Sequence, residues 1–287
     1  MRYAVIGAAG QLGRDLSARL HGEVVALDRS RADLTNPNLL RGTLADIRPE
    51  VVVNCAAYNF VDRAESEPEA AFAVNAWGVR SLAGFCRDLD CALVHFSTDY
   101  VFGIDASRAT PWGIHDAPGP LGVYGMSKLC GEYAVRAECP KHFVIRTCGL
   151  YGHWGAGGKG GNFVETMLRL ATEGKPLRVV NDQHCTPSYT VDVAAATAAL
   201  IATGRYGLYH VTNSEPATWY DVARTALEIA GFDSPIAPIP SSDYPTPARR
   251  PRYSVLALDE LDAAGVPRPR PWREALAAYL DERRAKR

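Results

Sequence analysis

The sequence predicts an α/β protein: a doubly wound parallel sheet joined to a smaller α/β lobe. Three observations carry that expectation. Short apolar runs without alternation recur at residues 3–6, 24–27, 51–53, 92–96 and 142–145. Helical spacings lie between several of them. A glycine turn follows the first run at once. Strands covered on both faces read as continuous apolar runs, and right-handed crossovers then lay helices over both faces.

Taken in order, residues 3–6 end at Gly7 and form the first strand. Residues 11–20 put Leu12, Leu16 and Leu20 on one helical face. The second strand, 24–27, ends at Asp28; the third, 51–53, follows Pro49. Residues 67–89 read as helix, 92–96 as the fourth strand, 123–139 as helix and 142–145 as the fifth strand. Beyond about residue 150 the pattern weakens. Residues 152–161 are glycine-dense and are expected to form a mobile loop that closes over a ligand. Residues 163–173 and 191–202 read as helices, 235–252 as an extended segment rich in proline and arginine, and 272–284 as a last helix with a basic, solvated tail. The expected division is a dinucleotide-binding domain over 1–150, with a return near 177–202, and a substrate lobe drawn mainly from 151–287.

Composition excludes several classes. Of 287 residues 47% are hydrophobic and 22% charged, which suits a large globular core and not a disordered chain. The net charge of -1 gives no steering toward nucleic acid or an anionic membrane. No apolar run approaches the roughly 20 residues of a bilayer span. The seven cysteines are odd in number and lack zinc-site spacing, so buried free thiols, a reducing cytoplasmic setting and no metal are expected. No signal-peptide pattern is visible at the start of the sequence.

Gly7, Gly10 and Gly13 form G-x-x-G-x-x-G between the first strand and the first helix. Such a turn brings backbone close to a pyrophosphate and faces it with a helix N-terminus, the Rossmann arrangement for NAD or NADP. Asp28 stands where an acidic residue would bind the adenosine ribose, and Arg29 follows it. A carboxylate favours NADH and an arginine NADPH, so this pair leaves the choice open. Tyr124 and Lys128, four apart, share one face of a helix, and Thr98 ends the fourth strand. Together they suit carbonyl reduction: tyrosine donates a proton to the developing alkoxide, threonine holds the same oxygen, and lysine lowers the tyrosine pKa and binds the nicotinamide ribose. Free tyrosine titrates about three units above neutral, a gap worth roughly 4 kcal/mol.

These motifs resemble extended short-chain dehydrogenases/reductases, and within them the dTDP-4-dehydrorhamnose reductase family. The likeness rests on Gly7 to Gly13, on Asn54 to Tyr58 followed by Val61 to Glu65, on Ser97 to Phe102, and on Tyr124 to Leu129. It continues through Arg146-Thr147, Asn162 to Val164, Asp182-Gln183 with Pro187, and Arg250-Pro251 with Ser254. The resemblance implies an NAD(P)H-dependent reductase of the 4-keto group of a nucleotide-linked deoxysugar, with Thr98, Tyr124 and Lys128 catalytic. It implies that Gln11, Leu12, Asp33, Leu34, Ala56, Ala57 and Tyr58 line the dinucleotide site and that Asn75 orders the backbone beside it. Asp99, Asn162 and Arg250, the last as a guanidinium fork, would contact the sugar nucleotide. A homodimer is left open.

One departure stands out. The family commonly has a tryptophan after the stretch that here reads Arg146-Thr147-Cys148, and this chain has Gly149. Either the pocket is wider or another ring fills it, with Trp154 and Tyr151 the expected candidates. Two other readings are kept. One is a sugar-nucleotide epimerase or dehydratase on the same scaffold; the other is a non-catalytic regulatory subunit that binds a dinucleotide.

Overall fold

The computed structural model describes residues 1–154 and 161–285. The first half of the chain alternates β1 (Arg2–Ile6), α1 (Gln11–Ser17), β2 (Glu23–Leu27), α2 (Pro37–Ile47), β3 (Val51–Asn54), α3 (Val61–Ala64), α4 (Pro68–Phe72), α5 (Val79–Asp88), β4 (Ala92–Thr98), α6 (Val123–Glu138) and β5 (His142–Thr147). The second half runs β6 (Leu150–Tyr151), α7 (Phe163–Thr172), β7 (Leu177–Val180), β8 (His184–Cys185), β9 (Ser188–Tyr189), α8 (Thr190–Thr203), β10 (Gly207–His210), β11 (Ala217–Thr218), α9 (Trp219–Ala230), β12 (Ile236–Ile239), α10 (Asp259–Ala263) and α11 (Trp272–Ala285).

Six strands make one parallel sheet in the order β10-β5-β4-β3-β1-β2. Every residue of β3 and β4 is buried, as the unbroken apolar runs require. Neighbours along a strand serve opposite faces. Val5, Val53, Val94 and Ile145 pack in one core with α1 and α8, while Ile6, Val52, Leu93 and Val144 pack in another with α2 and α5. Chain order reverses between β1 and β3, and a crevice beyond the carboxyl ends of these strands is where such sheets bind ligands.

Three features differ from the sequence reading. Residues 37–47 form a helix that apolar spacing did not reveal. Its start is set by Pro37 in the first turn and by Asn36, whose side chain accepts from Leu39 N at 3.1 Å. The long helix expected over 67–89 is broken by a π-helical turn, Ala73–Gly78. The return to the sheet runs from 190 to 210 instead of 177–202. Helix α8 buries Val193, Ala194 and Leu200 in the core shared with α1, and β10 pairs with β5. Strand β7 pairs with β12 outside the sheet, because Leu177 and Val179 are buried in a third core with Val164, Val222 and Trp272. That third core, with Tyr189, Leu227 and Tyr279, is the centre of the smaller lobe.

Among the described residues, no helix is long and apolar enough to cross a membrane, and no cluster of His, Cys, Asp and Glu could hold a metal ion. All seven cysteines are free thiols; five are buried, but Cys130 is exposed.

Candidate active site

The glycine turn closes where the sequence placed it. Gly7 has φ +73°, and a Cβ there would lie 2.8 Å from Ala56 N. A Cβ at Gly13 would meet Gly7 O at 2.4 Å. Only hydrogen fits at either position, so the turn packs directly on the loop after β3 and on the first turn of α1. Gly10 caps α1. Gln11 Nε2 donates to Leu150 O at 3.2 Å, while its Oε1 is buried without a hydrogen-bond partner. The Leu12 side chain is part of the core beneath the turn.

The loop after β3 is held by two asparagines. Ala56 N donates to Asn54 Oδ1 at 3.1 Å. Asn75, in the π turn, accepts from Tyr58 N at 2.9 Å and donates to Tyr58 O at 2.9 Å and to Ser127 Oγ at 3.0 Å. Ala56, Ala57 and Tyr58 are thereby fastened to the helix that carries Tyr124 and Lys128. The π turn explains why a buried amide can face this loop: an extra residue per turn rotates Asn75 out of the ordinary helical register.

At the end of β2 the charged residues satisfy one another. Ser30 donates to Asp28 Oδ1 through N (2.9 Å) and Oγ (2.6 Å), and these bonds hold the exposed Asp28 carboxyl below its usual value. Arg29 Nε donates to Asp33 Oδ2 at 2.8 Å, with the Arg29 side chain 82% exposed. Burial pushes Asp33 up, but the bonds from Thr35 and Arg29 outweigh it and the net shift is downward. The Leu34 side chain is buried in the core, and its backbone packs on Gly78, where a Cβ would lie 2.5 Å from Leu34 O. Only its main chain is left to line a cofactor.

Thr98, Tyr124 and Lys128 converge at the carboxyl end of β4. The start of α6 is fixed by Glu65, which accepts from Val123 N at 2.8 Å; no side chain of α6 itself caps it. The Tyr124 hydroxyl is hydrogen-bonded with Thr98, and its ring meets Tyr100 edge-on at 6.0 Å. Burial pushes Tyr124 up to about 12, against the downward pull of Thr98. Lys128 Nζ donates to Phe96 O at 2.6 Å. Burial lowers Lys128 to about 8, while Glu132 and Cys55 pull it back upward. The expectation that Lys128 depresses the tyrosine is therefore not met here: the ammonium is turned to the β4 backbone, and desolvation governs Tyr124.

Deeper in, Glu132 takes a fork from Arg146 (2.9 and 2.7 Å) and a 2.5 Å bond from Ser97, all three buried. Asp99 is buried too. Burial raises its carboxyl, opposed by bonds from Ser254 Oγ (2.6 Å), Cys148 and Thr98. The Arg250 fork is directed at Asp62 (2.9 and 3.1 Å), and Arg250 also hydrogen-bonds Tyr100. Asn162 caps α7, accepting from Glu165 N at 3.0 Å and donating to Gly152 O at 3.1 Å. Of the glycine-dense stretch, residues 155–160 lie outside the described residues, so the expected mobile loop falls largely there.

The ring over Gly149 is neither of the two expected. A Cβ at Gly149 would lie 3.1 Å from the Trp219 indole. Trp154 donates to Asp15 Oδ1 at 3.0 Å with Arg14 over its ring, and Tyr151 stacks on Tyr189 in the smaller lobe's core. Sequence reasoning gave no role to Glu65, Ser127, Glu132 or Cys148. Glu132 had a signal, since it lies one turn beyond Lys128 on the same face. Glu65 and Cys148 reach the site from distant segments, and spacing carries no trace of that.

The parallel sheet, the glycine turn and the set of half-buried Tyr124 with buried Thr98 and Lys128 define a class, the oxidoreductases built on a dinucleotide-binding scaffold. The chain belongs to the family described as the RmlD substrate binding domain, whose model matches residues 1–285. It is 42% identical over 280 residues to a dTDP-4-dehydrorhamnose reductase of Mycolicibacterium smegmatis, covering 96% of this chain and 84% of that one. It is 42% identical over 285 residues to a dTDP-4-dehydrorhamnose reductase of Streptomyces griseus, covering 96% and 91%. Among solved structures it resembles the Bacillus anthracis dTDP-4-dehydrorhamnose reductase in complex with NADP, with a TM-score of 0.93, 34% identity and coverage of 98% and 99%.

Proposed function

We propose that this protein is an NADPH-dependent oxidoreductase that reduces the 4-keto group of a dTDP-linked 6-deoxysugar, of the dTDP-4-dehydrorhamnose type. The single observation that carries the reading is the Tyr124 hydroxyl bonded with Thr98 at the end of β4, with Lys128 one turn along α6. Family membership and relatives that carry this activity in their names support it. The residues present fit a dinucleotide: Gly7 and Gly13, where a Cβ would strike the protein's own backbone, allow the tight turn that opens α1, and Gln11 holds a buried, unpartnered acceptor beside it.

The cofactor, when bound, supplies the hydride. Tyr124 holds the proton that the new alkoxide needs. With a pKa near 12 it is fully protonated at neutral pH, the form in which a reductase requires its acid. Thr98 shares a hydrogen bond with that hydroxyl and orients it toward the same oxygen. Lys128, still charged at neutral pH, supplies an ammonium for the ribose. Asn75 keeps the loop of Ala56, Ala57 and Tyr58 at its distance from α6. Asp28, Arg29 and Asp33 meet the adenosine ribose at the rim, and Asp99 and Arg250 border the sugar-nucleotide side. The lobe built around Val164, Val222 and Trp272 covers that side. Free thiols throughout suit a cytoplasmic setting.

The test is NADPH oxidation, followed by absorbance, with a dTDP-4-keto-6-deoxyhexose prepared in situ. Stoichiometric oxidation with formation of the 4-hydroxy sugar is expected. No oxidation with either NADPH or NADH would remove the catalytic reading and leave a dinucleotide-binding subunit.

A further inference from the structure

Beneath the site lies a group that the chemistry above leaves unused, the imidazole of His95. It stands in the middle of β4, wholly buried, and is the register partner of Asn54, the last residue of β3. Asn54 Nδ2 lies 3.1 Å from His95 Nδ1, and Asn54 Oδ1 accepts from Ala56 N at 3.1 Å. Ala56 N is also the atom nearest to the Gly7 face, where a Cβ would come within 2.8 Å of it. On its other side the ring meets α6. A Cβ at Gly131 would lie 3.4 Å from His95 Nε2 and would strike Asn75 O. His95 is thus wedged between the loop after β3, the π turn and the helix that carries Tyr124 and Lys128.

These contacts select one form of the ring. The Ala56 N–H is a backbone donor, so the Asn54 atom that faces it is the carbonyl oxygen. The amide NH2 is then turned to His95 and donates, so Nδ1 accepts and the ring proton sits on Nε2. Burial, with Lys128 nearby, holds the imidazole far below its ordinary pKa and therefore neutral, as an accepting Nδ1 requires. Nε2 is buried without a hydrogen-bond partner among the described residues. An unpaired buried donor costs stability, which marks the ring as held for its other nitrogen. The opposite tautomer would present an N–H to the amide and turn its NH2 against the Ala56 N–H.

We infer that His95 is a positioning residue of the dinucleotide site: its Nδ1 fixes the Asn54 amide, whose oxygen holds Ala56 N, and with it the loop of Ala56, Ala57 and Tyr58, against the glycine turn. The inference rests on the dinucleotide half of the reductase reading and deepens it. A single bond from Ala56 leaves the Asn54 amide free to swing about its last torsion, which is intrinsically broad. The second bond, to His95, pins the plane of the amide. Asn75 fixes the far end of the same loop at Tyr58, and Asn54 with His95 fixes the near end at Ala56. Both anchors pack on α6, Asn75 through Ser127 and His95 against Gly131. The cofactor loop and the catalytic helix are thereby set at one distance from each other.

The experiment measures NADPH affinity by fluorescence titration of the full chain, beside kcat from NADPH oxidation and stability from urea unfolding. His95→Leu keeps roughly the bulk of the ring and removes Nδ1. NADPH binding should weaken at least about fivefold, the worth of a buried polar group left unpaired. At saturating NADPH kcat should stay within about threefold of wild type, the pattern of lost binding and not of lost chemistry. His95→Gln carries its amide farther out, at the Nε2 end, and should weaken binding likewise; it decides the matter alone if His95→Leu does not fold. His95→Asn returns an acceptor near the Nδ1 position. It should restore affinity to within about twofold of wild type while its smaller side chain still lowers stability. Leu and Gln variants that lose stability yet bind NADPH as the wild type does, or an Asn variant that binds no better than they do, overturn the inference. Wild-type protein that binds NADPH without oxidising it fails the reductase reading alone, so the two failures are distinguishable.

Discussion

At the end of β2, Asp28, Arg29 and Asp33 stand at the surface, each tied to a neighbour within a few residues. At the end of β4, Asp99, Tyr124 and Lys128 are enclosed, and their partners come from segments far away in the chain. The same crevice therefore has a wet rim and a dry floor. On the rim, local turn bonds set the charges, and solvent screens whatever they do. On the floor, burial comes first in every shift: Tyr124 and Asp99 are pushed up and Lys128 is pushed down. On the proposed reading the proton chemistry falls on the floor and the cofactor choice on the rim, and perturbing each should have very different consequences.

The sharpest way to break the comparison is Tyr124→Phe. It deletes one hydroxyl on the floor and keeps the ring that meets Tyr100. Turnover should fall by at least about a hundredfold, the low end for a lost general acid, with NADPH affinity preserved. Near-normal steady-state NADPH oxidation in this variant would detach the floor from the chemistry.

The second is a pH profile. Lys128 titrates near 8 in the folded protein instead of 10.5. Above that pH the ammonium is lost, so kcat/KM should fall by about tenfold per unit beyond pH 8. Stability has the opposite sign. Because the folded pKa is depressed, the penalty for a buried ammonium is fully present below about 8 and is relieved as pH rises from 8 to 10.5. An activity limb at 10 or above would show that Lys128 is solvated in the working enzyme.

A third test concerns the support of the floor. Glu65→Ala removes the acceptor of Val123 N at the start of α6. Loss of such a cap costs about 1 kcal/mol, measurable by urea unfolding. It should slow turnover only several-fold, since Asn75 and Ser127 still hold the same helix. Unchanged stability would mean that water replaces the carboxylate without cost.

The smallest effect is expected on the rim. Arg29→Ala should weaken NADPH binding by a few-fold and leave NADH nearly untouched, read from cofactor titrations by fluorescence. Arg29, itself exposed, has its pair with Asp33 to give up before it turns to a 2′-phosphate. Equal losses for both cofactors would show that Arg29 does not read the phosphate.

Much of this was legible in the sequence because the signals are local. The five strand runs, the glycine turn and the four-residue spacing of Tyr124 and Lys128 each follow from neighbours in the chain. The inward turn of the Leu34 side chain was not legible: it sits next to rim residues, and adjacency does not tell which side chain turns inward. Helix α2 escaped notice because only Leu40 and Leu44 of its eleven residues are buried, too few to make a stripe.

By itself, then, the sequence determined the class of sheet and the place of the glycine turn, and it singled out the three side chains proposed to carry the reaction. Those depend on periodicity and on backbone freedom at glycine, which residues carry with them wherever they fold. The tertiary structure alone decided that Lys128 faces the Phe96 carbonyl, that Glu65 caps α6, and that Trp219 lies over Gly149. It also decided the direction of every shift on the floor. Burial is a property of what packs around a group, and here the packing partners come from strands, loops and a second lobe tens of residues away.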